Sequence, residues 1–79
     1  NRQVTMLVHQ LNTIGLKRPQ PILKISVMAS FMKPGDILEV LGDCLTFKDD
    51  IRTLCERLNL DFLSLNHDGD KVKKIQIQF

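Results

Sequence analysis

Two cysteines and one basic pair are the side chains of this sequence that could do chemistry. The thiolates of Cys44 and Cys55 could act as nucleophiles. Lys17 and Arg18 stand directly before Pro19, within the stretch LKRPQPILK, where their positive charges could hold an anion. The sequence therefore offers thiol chemistry or anion binding.

The other polar residues predict no catalytic or metal site. His9 and His67 lack the paired Cys or His spacing of a metal site. Asp49 and Asp50 suit the positive start of a helix, which explains them without a catalytic role. No glycine-rich phosphate loop and no serine nucleophile motif occurs in the sequence. We therefore expect neither a metal nor a cofactor.

The two cysteines are predicted to be separate thiols. A helix that begins near Thr46 would carry Cys55 roughly 13 Å along its axis, whereas a disulfide requires Cα atoms within about 7 Å. Free thiols indicate a reducing compartment. We expect a cytoplasmic protein, because no apolar run is long enough to cross a bilayer and no charged segment followed by an apolar stretch opens the sequence. Cys55 falls in an apolar helical stripe and is predicted to be a small buried residue of the core.

Composition predicts one soluble domain over residues 1–79. A hydrophobic content of 43% with 25% charged residues is typical of a globular chain. No apolar run approaches the ~20 residues that cross a bilayer. The net charge of +2 is small and scattered, and basic and aromatic residues do not alternate, which argues against nucleic-acid binding.

The first half of the chain predicts a strand, a helix and a second strand. The segment from Val4 to about Leu11 is β-branched and apolar. Two prolines indicate a helix that begins at about Pro19 to Pro21, because proline fits the first helical turn. The sequence Lys33-Pro34-Gly35-Asp36 is typical of a type II turn, and Asp36 to Gly42 is a second strand. One helix between these strands predicts a parallel pair with a right-handed crossover.

The second half predicts a helix and a hairpin. Thr46 and Asp49 resemble a capping box at the start of the second helix. Two further strands, Leu60 to Asn66 and Val72 to Phe79, flank a turn at residues 67–70. The order βαβαββ predicts an α/β (α+β) two-layer sandwich, a mixed four-stranded sheet with two helices on one face.

The first helix is apolar on two sides. One face is predicted to lie on the sheet because its residues recur at helical spacing: Ile22, Ile25, Met28, Ala29 and Met32. A second line, Leu23, Val27 and Phe31, recurs at four-residue steps. This line either packs against a neighbouring helix or forms a stripe that binds a partner. The sequence leaves both alternatives open.

The chain resembles the TusA-like (SirA-like) sulfur-carrier family, small cytoplasmic proteins in which a Cys-Pro-x-Pro motif opens the first helix. The resemblance extends over nearly the whole chain, and its motifs agree in order and spacing. They are residues 11–24 (LNTIGLKRPQPILK), 33–40 (KPGDILEV), Asp43, 48–51 (KDDI) and Cys55. In that family the motif cysteine receives a persulfide from a cysteine desulfurase or rhodanese and passes it on. The resemblance therefore implies a partner protein of sulfur metabolism.

At the position where this family has its sulfur-accepting cysteine, the chain has Arg18. A guanidinium has no nucleophilic lone pair at neutral pH, so Arg18 cannot hold sulfane sulfur or relay a persulfide. The residue stands beside Lys17 at the positive start of a helix. It is either an exposed arginine without a task or a contact for an anion or an acidic partner.

Cys44 offers a second possibility. Loops that follow parallel strands lie at the same edge of a sheet, and the two loops here carry Arg18 and Cys44. Within about 6 Å, the guanidinium would favour the thiolate of Cys44, and the start of the second helix would do the same. The family usually has proline at this position, so Cys44 is either a relocated functional thiol or an ordinary loop cysteine.

We therefore expect a binding or regulatory member of the family, an adaptor that is not a sulfurtransferase but keeps a docking surface for a sulfur-metabolism protein. The expected surface comprises Lys17, Arg18, Pro19, Pro21, Leu23, Lys24, Val27 and Phe31. One alternative is a sulfur carrier or sulfurtransferase that uses Cys44. The other is an RNA-binding module, suggested only by the fold's similarity to the C-terminal domain of bacterial translation initiation factor 3.

Overall fold

The computed structural model describes residues 6–79, which form alternating strands and helices followed by a hairpin. The elements are β1 (Val8–Asn12), α1 (Gln20–Ala29), β2 (Ile37–Gly42), α2 (Phe47–Leu58), β3 (Asp61–His67) and β4 (Lys73–Gln78). The strands form one sheet in the order β1-β2-β4-β3. β1 pairs parallel with β2, while the other two pairs are antiparallel. The predicted mixed four-stranded sheet with two helices is confirmed.

The first strand begins later than the sequence predicted. Of the predicted residues, Val4 and Thr5 lie outside the described part of the chain, and Met6 and Leu7 precede β1. The Leu7 N–H donates to the side chain of Asp36 at 3.4 Å. Because a carboxylate takes the place of a backbone acceptor there, the regular ladder starts only after Leu7.

The proline segment leads directly into α1, as predicted. The Gln20 N–H donates to the Lys17 carbonyl at 2.9 Å, which closes a turn around the cis Arg18-Pro19 bond, and the Leu23 N–H bonds the Pro19 carbonyl at 3.2 Å. The type II turn after the helix is also confirmed. Gly35 has a φ of 91°, and the Asp36 N–H donates to the Lys33 carbonyl at 2.9 Å.

One face of α1 lies on the core, and its second apolar line is exposed. Ile25 is fully buried, and the neighbouring positions of its face pack partly buried against the core. Leu23, Val27 and Phe31 are 58%, 63% and 73% exposed. The prediction that this line packs against a neighbouring helix is therefore wrong. The groove beside α2 is lined by other residues, among them Pro19 before α1 and Ile22 of α1.

The helix α2 begins close against the end of β2. A Cβ atom on Gly42 would collide with the ring of Phe47, so a glycine is required where the first residue of α2 enters the core. Phe47 is 1% exposed and packs with Ile51, Leu54 and Cys55 of the same helix. Cys55 is thus the buried core residue that its helical position predicted.

The sheet face opposite the helices carries a row of polar side chains. The Gln10 and Gln76 amides donate to opposite oxygens of the Glu39 carboxylate at 3.2 and 3.0 Å, and the Ser64 hydroxyl donates to Gln76 at 3.3 Å. The row crosses all four strands.

Within residues 6–79, no helix has both the length and the apolar character to span a bilayer.

Candidate functional site

The loop after β1 and the loop after β2 meet at one edge of the sheet. The Leu41 carbonyl accepts both the N–H and the hydroxyl of Thr13, at 2.8 and 2.6 Å. Asp43 accepts the Gly15 N–H through Oδ1 at 2.9 Å. These bonds join the two loops because parallel strands end at the same side of a sheet. The chain thereby forms an open pocket, lined by residues 15–18 and 43–46.

Four side chains in and beside this pocket form a continuous chain of contacts, which we call the rim cluster: Arg18, Cys44, Thr46 and Asp50. The Arg18 Nε lies 3.5 Å from Oδ2 of Asp50, which also accepts the Thr46 hydroxyl at 2.7 Å. The Thr46 Oγ1 lies 3.5 Å from the Cys44 Sγ. Arg18 and Cys44 are therefore brought to one pocket, as predicted, but Asp50 takes the guanidinium as its partner.

Thr46 and Asp50 were missed as site residues. Thr46 is the N-cap of α2, but its side chain makes no bond to a helix N–H. The predicted capping box with Asp49 is therefore wrong, because the Thr46 hydroxyl donates to Asp50 four residues along the chain instead. The i, i+4 spacing of Thr46 and Asp50 across the helix start was the available signal.

Hydrogen bonds lower the pKa of the Cys44 thiol. The Thr46 hydroxyl, when its single hydrogen turns from Asp50 to the sulfur, and the Thr46 backbone N–H contribute most, and the Arg18 backbone N–H adds to them, while burial and the charge of Asp50 oppose the shift. The sequence indicated two groups that would favour the thiolate: the Arg18 guanidinium, if it came within about 6 Å, and the start of the second helix. The Thr46 backbone N–H at the start of α2 acts as expected, whereas Arg18 acts through its backbone and directs its charged group at Asp50. Both cysteines are free.

The predicted docking residues fall into two groups. Lys17, Pro19 and Lys24 are exposed, as are the apolar residues of the second line on α1. Pro21 is buried in the first turn of α1. Pro21 therefore cannot contact a partner directly, and its role is to start the helix with a residue that lacks an N–H.

The remaining candidate residues lie away from the pocket. His9 Nε2 is 3.2 Å from Oδ2 of Asp36, at the opposite end of β2. Burial would raise the pKa of Asp36, but hydrogen bonds from the Lys33 N–H, His9 and the Leu7 N–H outweigh it and lower this pKa. In the described part of the chain, no three His, Cys, Asp or Glu residues come together in a way that could hold a metal ion.

Fold and site together define an α+β sandwich with a pocket where two parallel strands end and a helix begins. The family model described as Sulfurtransferase TusA matches residues 9–78, and the chain belongs to this family. A search of curated proteins found no match.

Proposed function

We propose that this chain is a binding member of the family, an adaptor or regulator that docks on another protein of sulfur metabolism and carries no sulfur at residue 18. The observation that carries the proposal is the placement of Arg18. Its side chain is 68% exposed at the start of α1. A guanidinium forms no bond to sulfane sulfur but offers N–H donors to a carboxylate.

The surface beside Arg18 supports docking. Leu23 and Val27 on α1 and Phe31 in the turn that follows it are exposed apolar residues, and Lys17 and Lys24 add positive charge to this part of the chain. Exposed apolar residues that adjoin one another are typical of interaction surfaces. α1 has a single charged residue, Lys24, and no acidic one. An acidic surface with apolar centres would complement it.

Binding to a cysteine desulfurase or a rhodanese of the source organism tests the adaptor role. We expect Arg18→Glu and Leu23→Asp each to weaken binding by about tenfold or more, roughly 1.4 kcal/mol, in biolayer interferometry. Leu63→Asp is the matched control, since Leu63 is 44% exposed on β3, away from α1. Equal loss in all three variants, or no binding of either partner class, would contradict the proposal.

Persulfide loading tests the chemical half of the proposal. The Cys44→Ser chain is compared with the Cys44→Ser, Arg18→Cys chain after incubation with a persulfide donor, and the intact masses are measured. We expect one added sulfur only in the chain that carries Arg18→Cys, because this substitution restores a nucleophile at the motif position. If this variant also stays unloaded, the scaffold has not been retained for sulfur chemistry.

A second candidate function is sulfur transfer by Cys44, favoured by its position in the same pocket and by its lowered pKa. The Cys44 thiolate would attack the outer sulfur of a donor persulfide. The donor S–S bond breaks, the donor leaves as a thiolate, and Cys44 becomes the persulfide. Intact mass after incubation should then show one added sulfur on the wild type and none on Cys44→Ser. A wild type that gains sulfur only after denaturation would exclude this function.

A further inference from the structure

The two edges of the sheet differ in how they resist strand addition. β3 has a bulge between Phe62 and Ser64 and begins with the charged Asp61. Bulges and charges protect sheet edges from further strands. β1 is the other edge, and its sequence VHQLN contains no charged residue and no proline, while its register against β2 is continuous. The β1 edge therefore has none of these protections.

Backbone groups of β1 point away from the sheet. The Leu7 carbonyl accepts the Ile37 N–H at 2.9 Å, and the Thr13 N–H donates to the Leu41 carbonyl at 2.8 Å. Odd-numbered residues thus bond to β2. Since the direction alternates along a strand, the N–H and C=O groups of Val8, Gln10 and Asn12 point outward. Within residues 6–79, no strand pairs with this side of β1.

An apolar groove runs alongside this edge. It lies between Leu11 of β1 and the residues Leu23, Lys24, Val27 and Met28 of α1. Because α1 crosses between two parallel strands, its C-terminal end, which Phe31 follows by two residues, lies near the start of β1. There Met6, Leu7 and Val8 are each at least half exposed. We call the outward side of β1 and this groove the β1 edge surface.

We propose that an extended segment of a partner protein adds to β1 as a fifth strand. Its backbone pairs with Val8, Gln10 and Asn12, and every second side chain enters the groove against α1, as in other cases of strand addition. The inference rests on the proposed function and deepens it, because it states that the partner contributes an extended segment that covers the exposed apolar residues Leu23, Val27 and Phe31.

Charge determines which occupant fits. Lys24 is the charged residue of α1, it lines the groove, and neither α1 nor β1 contains an acidic residue. A second copy of this chain would bring another Lys24 to the same seam without a negative charge to balance it. A segment with apolar residues for the groove and an acidic residue beside Lys24 complements both features. The partner segment is therefore expected to carry apolar residues at alternate positions and an acidic residue beside Lys24.

A peptide selection tests this inference directly. A display library of random nine-residue peptides is selected on the immobilised full chain, and enriched peptides are measured by fluorescence anisotropy. We expect enriched peptides to alternate apolar residues and to carry an acidic residue. We also expect amide hydrogen exchange at Val8, Gln10 and Asn12 to slow by about tenfold or more in the complex.

Two substitutions at one position separate backbone pairing from side-chain effects. Gln10→Pro removes the outward N–H, which β2 does not use, and an edge strand tolerates such a proline. Gln10→Ala keeps the N–H but loses the same bond to Glu39. We expect Gln10→Pro to weaken peptide binding by about tenfold or more and Gln10→Ala to leave it within about twofold.

Three outcomes would overturn the inference, and each bears differently on the proposed function. Peptides that bind the Gln10→Pro variant but not the Leu23→Asp variant would exclude strand addition. The proposed docking on α1 would remain supported. A dimer in sedimentation equilibrium that Gln10→Pro dissociates would make a second copy the occupant. If no peptide is enriched on the wild type over the Leu23→Asp variant, a linear peptide segment is excluded as the partner. Binding to a desulfurase or rhodanese would still test the adaptor role separately.

Discussion

Next to the open pocket at the loop edge lies a packed contact, which we call the floor. It joins Gly42 and Phe47, the residues on either side of the loop at 43–46, and Phe47 is 1% exposed. In and beside the pocket, the rim cluster is joined by three contacts of 2.7 to 3.5 Å, and its Arg18 is 68% exposed. Packing fixes the floor, whereas weak polar contacts arrange the rim. The chemistry at the rim can therefore change while the fold is kept.

The largest expected effect is on the floor. Phe47→Ala should lower the free energy of unfolding by about 3–5 kcal/mol, because it removes a buried ring and leaves a cavity. Urea denaturation followed by circular dichroism measures this loss. Leu45→Ala is the control, since Leu45 is 98% exposed in the neighbouring loop and should cost less than about 0.5 kcal/mol. Similar losses for both variants would remove the distinction between floor and rim.

Alkylation rates of the two cysteines provide the next comparison. Hydrogen bonds lower the pKa of Cys44, whereas burial raises the pKa of Cys55 in the core. Because the thiolate is the reactive form, Cys44 should react with iodoacetamide at pH 7 about 100-fold faster or more, measured by peptide mass spectrometry. The alkylation rate of Cys44 should reach half its maximum at a lower pH than the rate of an ordinary thiol does, because the pKa of Cys44 is lowered. Equal native rates would contradict the geometry of the rim.

A smaller effect is expected when the rim loses one hydrogen bond. Thr46→Val removes the hydroxyl that lies 3.5 Å from the Cys44 sulfur, so the pKa of Cys44 should rise. The backbone donors remain, so the alkylation rate at pH 7 should fall by less than about tenfold, or one pKa unit. Thr46→Ser keeps the hydroxyl and should match the wild type.

Asp50→Asn should lower the pKa of Cys44, since the negative charge of Asp50 raises this pKa.

The smallest effect is expected from removing the ion pair. Arg18→Ala should change the free energy of unfolding by no more than about 0.5 kcal/mol, because Arg18 is mostly exposed and water screens its contact with Asp50. Denaturation at low and high salt checks this value. A loss above about 1 kcal/mol would show that Arg18 stabilises the fold. This role would then explain the residue without a binding partner.

Much of the site's position could be predicted from the chain. Pro19 and Pro21 located the start of α1, and the parallel pair predicted that the loops with Arg18 and Cys44 would meet. The contacts within the rim could not be predicted. Two contacts depend on how side chains are directed: the bond of Thr46 to Asp50 and not to Asp49, and the action of Arg18 on the thiol through its backbone. These directions are set where the loop after β1, the loop after β2 and the helix α2 meet.

The sequence by itself determined the order of elements, the turn at Gly35, the burial of Cys55 and the absence of a thiol at residue 18, because these depend on residue type and local periodicity. Only the tertiary structure decided that the second apolar line is exposed and that β1 is an edge strand of the sheet. Exposure depends on where α2 and the other strands lie, and no local pattern records which side of an apolar helix is left uncovered.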